Sequence, residues 1–314
     1  MRKAALLYNP QSGGSKKRQR ELQSALTVLR DGGIEATLVA PESSEHAEEE
    51  VRRAIASGCD TIFACGGDGT IHNIIQVIAR SPVALGILPM GTANALAHDL
   101  EMPMKIVSAA KFALQAKPRR VALGRVHCVD VKGKACDRYF VVTAGIGVDA
   151  HLFYKLHTGV KQRAGMAAYY AKAWNLWFTY GMPRFMVEYT ETGSTVVQSA
   201  DVTELLSVRI RNFGGVVREL APGASLDRDD MRLVFARTAS RLAYLAWVTR
   251  GMLGLRWEVP GVDLVYSTNV SCHYQTSGQA QPKIYVEADG ELLGTLPAEI
   301  TVVPDALTLL AQSR

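Results

Sequence analysis

Carboxylates set among glycines are the residues of this 314-residue chain best placed to do chemistry. In "CGGDGTIHN" (65–73), Gly66, Gly67 and Gly69 surround Asp68, directly behind the apolar run Thr61–Ala64. In "EADGELLG" (287–294), Asp289 and Glu291 flank Gly290. Glycine lets a backbone approach a ligand closely. A helix opening behind such a turn presents unpaired N–H groups and the positive end of its dipole, which stabilise phosphate. Bare phosphate would repel Asp68 at that spot. The carboxylate fits if it faces a hydroxyl, or if a cation stands between; Mg²⁺ binds one or two carboxylates together with substrate phosphates.

Two further turns repeat the pattern. "NPQSGG" (9–14) follows the first apolar run and is followed by Lys16, Lys17 and Arg18; "PMGTANALA" (89–97) has Gly91 for the turn, with Thr92 and Asn94 as polar contacts. Turns at the carboxyl ends of neighbouring parallel strands converge on one crevice. Neither a GxGxxG fingerprint nor a GK[ST] loop is present. Each turn also has a plain reading. "NPQSGG" serves as a strand-to-helix connection, and Asp289-Gly290 is the favoured pair of a tight hairpin.

The elements that would position these turns follow from periodicity. Strands are expected at 3–8, 34–39, 61–64 and 84–88. Helices are expected from Ser15 to about Arg30, at 44–57 and at 71–79, with another opening behind "PMGTANALA". That alternation predicts an α/β domain with a parallel sheet. Beyond Val121 the style changes to short segments at 139–143, 184–189, 205–211, 232–236, 262–267, 283–288 and 299–303, which predict an antiparallel β domain with inserted helices. The boundary falls near 122.

Composition narrows the class. Hydrophobic content is 48%, charged content 21% and net charge +5, which suits anionic small molecules or anionic lipid without requiring nucleic acid. The five cysteines, an odd number with no CxxC, predict reduced and mostly buried thiols in a cytoplasmic protein. The seven histidines show no zinc spacing. No window reads as a signal peptide or membrane span, so membrane contact is expected to be peripheral. Two stretches rich in basic, aromatic and aliphatic residues, 151–184 and 232–256, would suit an anionic membrane surface or a core helix with solvated arginines.

In this order and spacing, "NPQSGG", "GGDGT" and "PMGTANALA" resemble the diacylglycerol kinase/sphingosine kinase family of lipid kinases. "AGIGVDA" (144–150), "KQRAGMAAYY" (161–170), "RNFGGVVRELAPGASLDRDD" (211–230) and "VEADGELLGTLPAEITVVP" (286–304) extend the resemblance over nearly the whole chain. "GGDGT" is shared with NAD kinases and phosphofructokinases, so the specific signal is "DGE" with "GIGVDA".

The resemblance implies an NAD-kinase-like α/β domain over 1–122, to which 304–314 returns, and a β-sandwich over 123–303. It implies ATP-dependent phosphorylation of a lipid hydroxyl with Mg²⁺. Asn9, Ser12, Gly66, Gly67, Gly69, Thr70, Gly91, Thr92 and Asn94 would contact nucleotide, and Lys161 and Arg163 would balance phosphate charge. Asp68 would hold the metal, Asp289 would take the hydroxyl proton, and Glu291 would reach the nucleotide. Asp227 and Asp229 resemble a second, structural cation site. Three usually acidic positions are neutral here, at Asn73, Ala95 and Ala122. Two other readings therefore stay open: a phosphotransferase acting on a soluble acceptor such as NAD, and a lipid- or nucleotide-binding protein weakened in catalysis. A homodimer also stays open.

Overall fold

The computed structural model describes residues 1–8, 16–41, 43–151, 179–214, 219–255, 257–275 and 282–312. The first lobe alternates strand and helix: β1 (Lys3–Tyr8), α1 (Lys16–Asp31), β2 (Glu35–Val39), α2 (Ser44–Ala56), β3 (Thr61–Gly66), α3 (Asp68–Ile78), β4 (Ala84–Pro89), the short α4 (Ala95–Asp99) and α5 (Ile106–Gln115). β2-β1-β3-β4 form a parallel sheet in that spatial order. Every residue of β3 and β4 is buried, as expected of strands covered on both faces. Ser43 caps α2 by accepting from the His46 N–H.

The second lobe is built from β5 (Lys117–Val129), β6 (Ala135–Phe140), β7 (Thr143–Gly147), β8 (Phe185–Glu191), β9 (Val197–Val202), β10 (Glu204–Val208), β11 (Met231–Ala236), α6 (Arg241–Leu253), β12 (Val262–His273), β13 (Tyr285–Ala288) and β14 (Glu291–Ala311). Its strands pair antiparallel, in the order β14-β13-β7-β10-β11-β12. β12 also pairs with β14, so these six strands close on themselves. Closure removes open edges from that part of the sheet. β14 then continues into the first lobe, where Thr308 and Leu309 pair parallel with Ala84 and Leu85 of β4.

The architecture is the expected one, an α/β lobe plus an antiparallel β-sandwich lobe, and three local differences bear on the site. α3 begins at Asp68 rather than at Ile71, with Gly67 as its cap residue, so the "GGDGT" stretch is itself the helix start. An acidic residue in a first turn is favoured by the dipole. The strand expected over 139–143 divides into β6 and β7 at Val141 and Val142. β5 and β9 were not foreseen; they carry mixed burial rather than a clean alternation.

Candidate active site

The glycine turns meet where the lobes join. A Cβ on Gly91 would lie 2.4 Å from the Gly67 Cα, and one on Gly66 would lie 2.1 Å from Thr70 Oγ1. The two loops can touch only because side chains are absent there. Asn94 has a left-handed backbone (φ 48°) and spends its amide on its own loop: Oδ1 accepts from the Gly91 N–H and Nδ2 donates to the Gly91 carbonyl, both at 2.9 Å. Thr92 is exposed beside it. Asp68 Oδ1 lies 3.5 Å from the Leu96 N–H, which ties α3 to α4. Burial raises the Asp68 carboxyl above its ordinary range, and the like charge of Asp289 adds to the rise.

Asp289 and Gly290 both take positive φ (50° and 84°) between paired Ala288 and Glu291, so they form a two-residue hairpin turn of the mirror-image type. The plain reading and the site reading of "ADGE" coincide. The turn aims the Asp289 side chain back at the β6–β7 break. Oδ1 accepts from Val142 N–H (2.8 Å) and Thr143 N–H (3.1 Å), and Oδ2 accepts from Val141 N–H (3.0 Å). The strand breaks there because its backbone donors turn to a carboxylate. A carboxylate has about four acceptor sites, so among the described residues one remains, on Oδ2. The buried His72 places Nδ1 3.5 Å from that oxygen. Glu291 Oε1 reaches over α3, 3.0 Å from where a Gly69 Cβ would be.

His72 is a residue that the motif reading passed over. It stands four residues after Asp68, on the same helix face. Gln76, four further, donates to the Tyr139 carbonyl and accepts from the Tyr139 N–H, both at 2.9 Å. One row on α3 thus carries Asp68, meets the hairpin carboxylate through His72 and meets the second lobe through Gln76.

Behind the hairpin lies a second acidic group. Glu287 and Glu204 are buried, and Asp149 beside them is partly buried. Glu287 Oε2 accepts from the Gly290 N–H at 2.8 Å, while Glu204 Oε2 accepts from the Val148 and Asp149 N–H groups. Asp149 Oδ2 and Glu287 Oε1 each lie 2.8 Å from the place a Gly145 Cβ would fill. Glu204 Oε1 and Glu287 Oε1 have no hydrogen-bond partner among the described residues. Burial pushes Asp149 up to about 6 and holds both glutamates well above the carboxylate range, with Asp149 as the next cause.

Asn9, Ser12, Lys161 and Arg163 lie outside the described residues. Asp227 is held by Arg119 and by Ser225, and the neighbouring Asp230 by Arg228 and by Thr192. Among the described residues, no group of three or more His, Cys, Asp or Glu could hold a metal ion. A cation between Asp227 and Asp229 would thus lack a third acidic ligand, and one at Asp68 would need oxygens from phosphate. Ala122, one of the neutral positions, is 1% exposed, and its carbonyl accepts from the buried Arg209 at 3.0 Å.

The whole fold is shared with a solved diacylglycerol kinase from Bacillus anthracis str. Sterne (TM-score 0.71, 16% identity, 99% of this chain and 97% of that one). It is shared more loosely with yeast NADH kinase (TM-score 0.52, 10% identity, 100% and 84%). Residues 3–126 match the diacylglycerol kinase catalytic domain, and 141–311 match the YegS C-terminal NAD kinase beta sandwich-like domain. A diacylglycerol kinase of Staphylococcus haemolyticus is 30% identical over 95% of this chain and 85% of its own length. One of Staphylococcus saprophyticus is 29% identical over 94% and 91%. The chain belongs to the diacylglycerol kinase family and is a kinase.

Proposed function

We propose that the chain transfers the γ-phosphoryl group of ATP to the hydroxyl of a lipid, diacylglycerol-like or long-chain-base-like. The observation that carries this reading is the geometry of Asp289. Backbone donors fix the carboxylate on three sides, and its one open acceptor site on Oδ2 adjoins the start of α3. An acceptor hydroxyl hydrogen-bonded there would lie on the phosphate side of Asp68. Asp289 then orients the hydroxyl and takes its proton as the bond to phosphorus forms. The transition state of phosphoryl transfer is loose, so placement matters more than base strength.

Gly66, Gly67 and Gly69, with the α3 N-terminus, supply a surface for phosphate. The donor set at Asp68 fits a hard cation: its carboxyl is half-buried, faces the like charge of Asp289, and offers oxygen ligands only. Mg²⁺ there would neutralise charge on the transferring phosphoryl group. Asp68 would hold it, and Glu291 stands within reach of the same phosphates. An open hollow of about 790 Å³ lies between α1 and the carboxyl ends of β1 and β2. Tyr8, Leu22, Leu38 and Ala40 line one part of it and Gln19, Arg20, Gln23 and Ser24 the other, a mixed wall that would suit a nucleoside.

Peripheral membrane contact is part of the proposal. Leu242, Leu245, Met252 and Leu253 stand out on one face of α6, and exposed Leu255 and Trp257 follow. Among the described residues no helix is long and apolar enough to cross a membrane.

The test is incubation with γ-labelled ATP, Mg²⁺ and lipid vesicles of varied headgroup. Label in the organic phase is expected. Label on NAD in the aqueous phase, or none in either, refutes the proposal.

A further inference from the structure

Cys128 and Cys136 are direct partners in the antiparallel β5–β6 ribbon. Cys128 is 1% exposed within the second lobe's core, and the half-buried Cys136 packs against the same core. Partners directly opposite have Cβ atoms about 4.5–5.5 Å apart. A disulfide needs about 3.5–4.5 Å. The gap is small, and β6 can close it, because it pairs with no strand but β5 among the described residues.

We propose that Cys128 and Cys136 are an oxidisable pair, converted by hydroperoxide into a cross-strand disulfide that slows the kinase. The Cys136 thiolate attacks a peroxide oxygen. The O–O bond breaks, Cys136 becomes a sulfenic acid, and hydroxide leaves and takes up a proton as water. The Cys128 sulfur then attacks the Cys136 sulfur. The S–O bond breaks, and water leaves with the Cys128 proton. Two thiols are oxidised and one hydrogen peroxide is reduced to two waters. Thiol pairing supports this order of events: the hydrogen bond with Cys128, helped by Arg138, draws Cys136 down to about 7, while Cys128 is pushed up.

The link to turnover runs along β6. Tyr139 is clamped to Gln76 at its N–H and carbonyl, and the next turn of chain supplies the three N–H groups that hold Asp289. Drawing Cys136 toward Cys128 pulls on that run from its other end. A misplacement of about 1 Å at a reacting group can cost about a hundredfold in rate, so a smaller pull is expected to cost about tenfold.

The experiment treats the full chain with hydrogen peroxide. It then follows the mass, the peptide map and turnover before and after dithiothreitol. The expected result is loss of two hydrogens, a peptide joining Cys128 to Cys136, and slowed turnover that reductant restores. Cys136→Ser should give no crosslink and no reversible slowing. A sulfinic acid at Cys136 without crosslink would overturn the pairing, and a crosslink with unchanged turnover would overturn the control. The mass readout does not depend on which acceptor is phosphorylated.

Discussion

Two carboxyl groups two residues apart, on Glu287 and Asp289, end in opposite circumstances. Asp289 is answered by three backbone donors and keeps one acceptor site open beside His72. Glu287 has one oxygen on Gly290 and the other buried without a partner among the described residues, facing Asp149 across a glycine. The difference lies in what answers each carboxyl group. Backbone donors at a strand break hold the nearly buried Asp289 in one orientation. Burial beside other acids makes the neutral form the cheaper one.

The sharpest way to break this comparison is Asp289→Asn. It keeps the shape and loses the proton acceptor. Turnover should fall by about 10²–10⁴-fold, while nucleotide binding by titration stays close to wild type. Retained turnover would remove Asp289 from the proton transfer. Next in size is Asp68→Asn, expected to cost about 10²-fold, the order of one lost electrostatic contact to developing charge. Its Mg²⁺ dependence should also shift to higher concentration, and an unchanged Mg²⁺ titration would separate Asp68 from the metal.

Glu287 tests the other side. Glu287→Gln keeps a carbonyl for the Gly290 N–H and should leave turnover within about threefold, since conservative exchanges of a neutral buried acceptor cost little. Glu287→Ala leaves that N–H unpaired and should cost about 1–3 kcal/mol of stability in denaturant unfolding. Equal damage from both variants would mean that Glu287 acts as an anion.

A further test is in pH. An Asp149 held up to about 6 in the folded chain, against 3.8 ordinarily, stabilises the fold most below about pH 4. That stabilisation is lost as pH rises through about 6. Asp149→Asn should therefore flatten the fall in stability from about pH 4 to pH 7, by at most about 3 kcal/mol. Unchanged pH dependence would show that Asp149 ionises freely.

Much of this molecule was legible from local pattern. The α/β alternation, the short strands beyond Val121, the two glycine turns and the Asp-Gly hairpin all write their geometry into adjacent residues. His72 was legible in principle, four residues from Asp68 on one helix face, but a motif read as a loop conceals helical spacing. The Asp289 anchor was not legible. Its partners lie at Val141–Thr143, more than a hundred residues away, and they are backbone groups that carry no residue signature. The acid trio was hidden for a similar reason. Glu204, Glu287 and Asp149 come from three segments that only the pairing of β7 with β10 and β13 brings together.

β14 is synthesised after every other element described, yet it borders both lobes: it closes the ring of the second and lies beside β4 in the first. The parallel sheet thus waits for a neighbour that is made after every other described element. Until then the outer side of β4 is an open edge. During synthesis the first lobe therefore gains its last neighbouring strand only from the chain that also closes the second lobe.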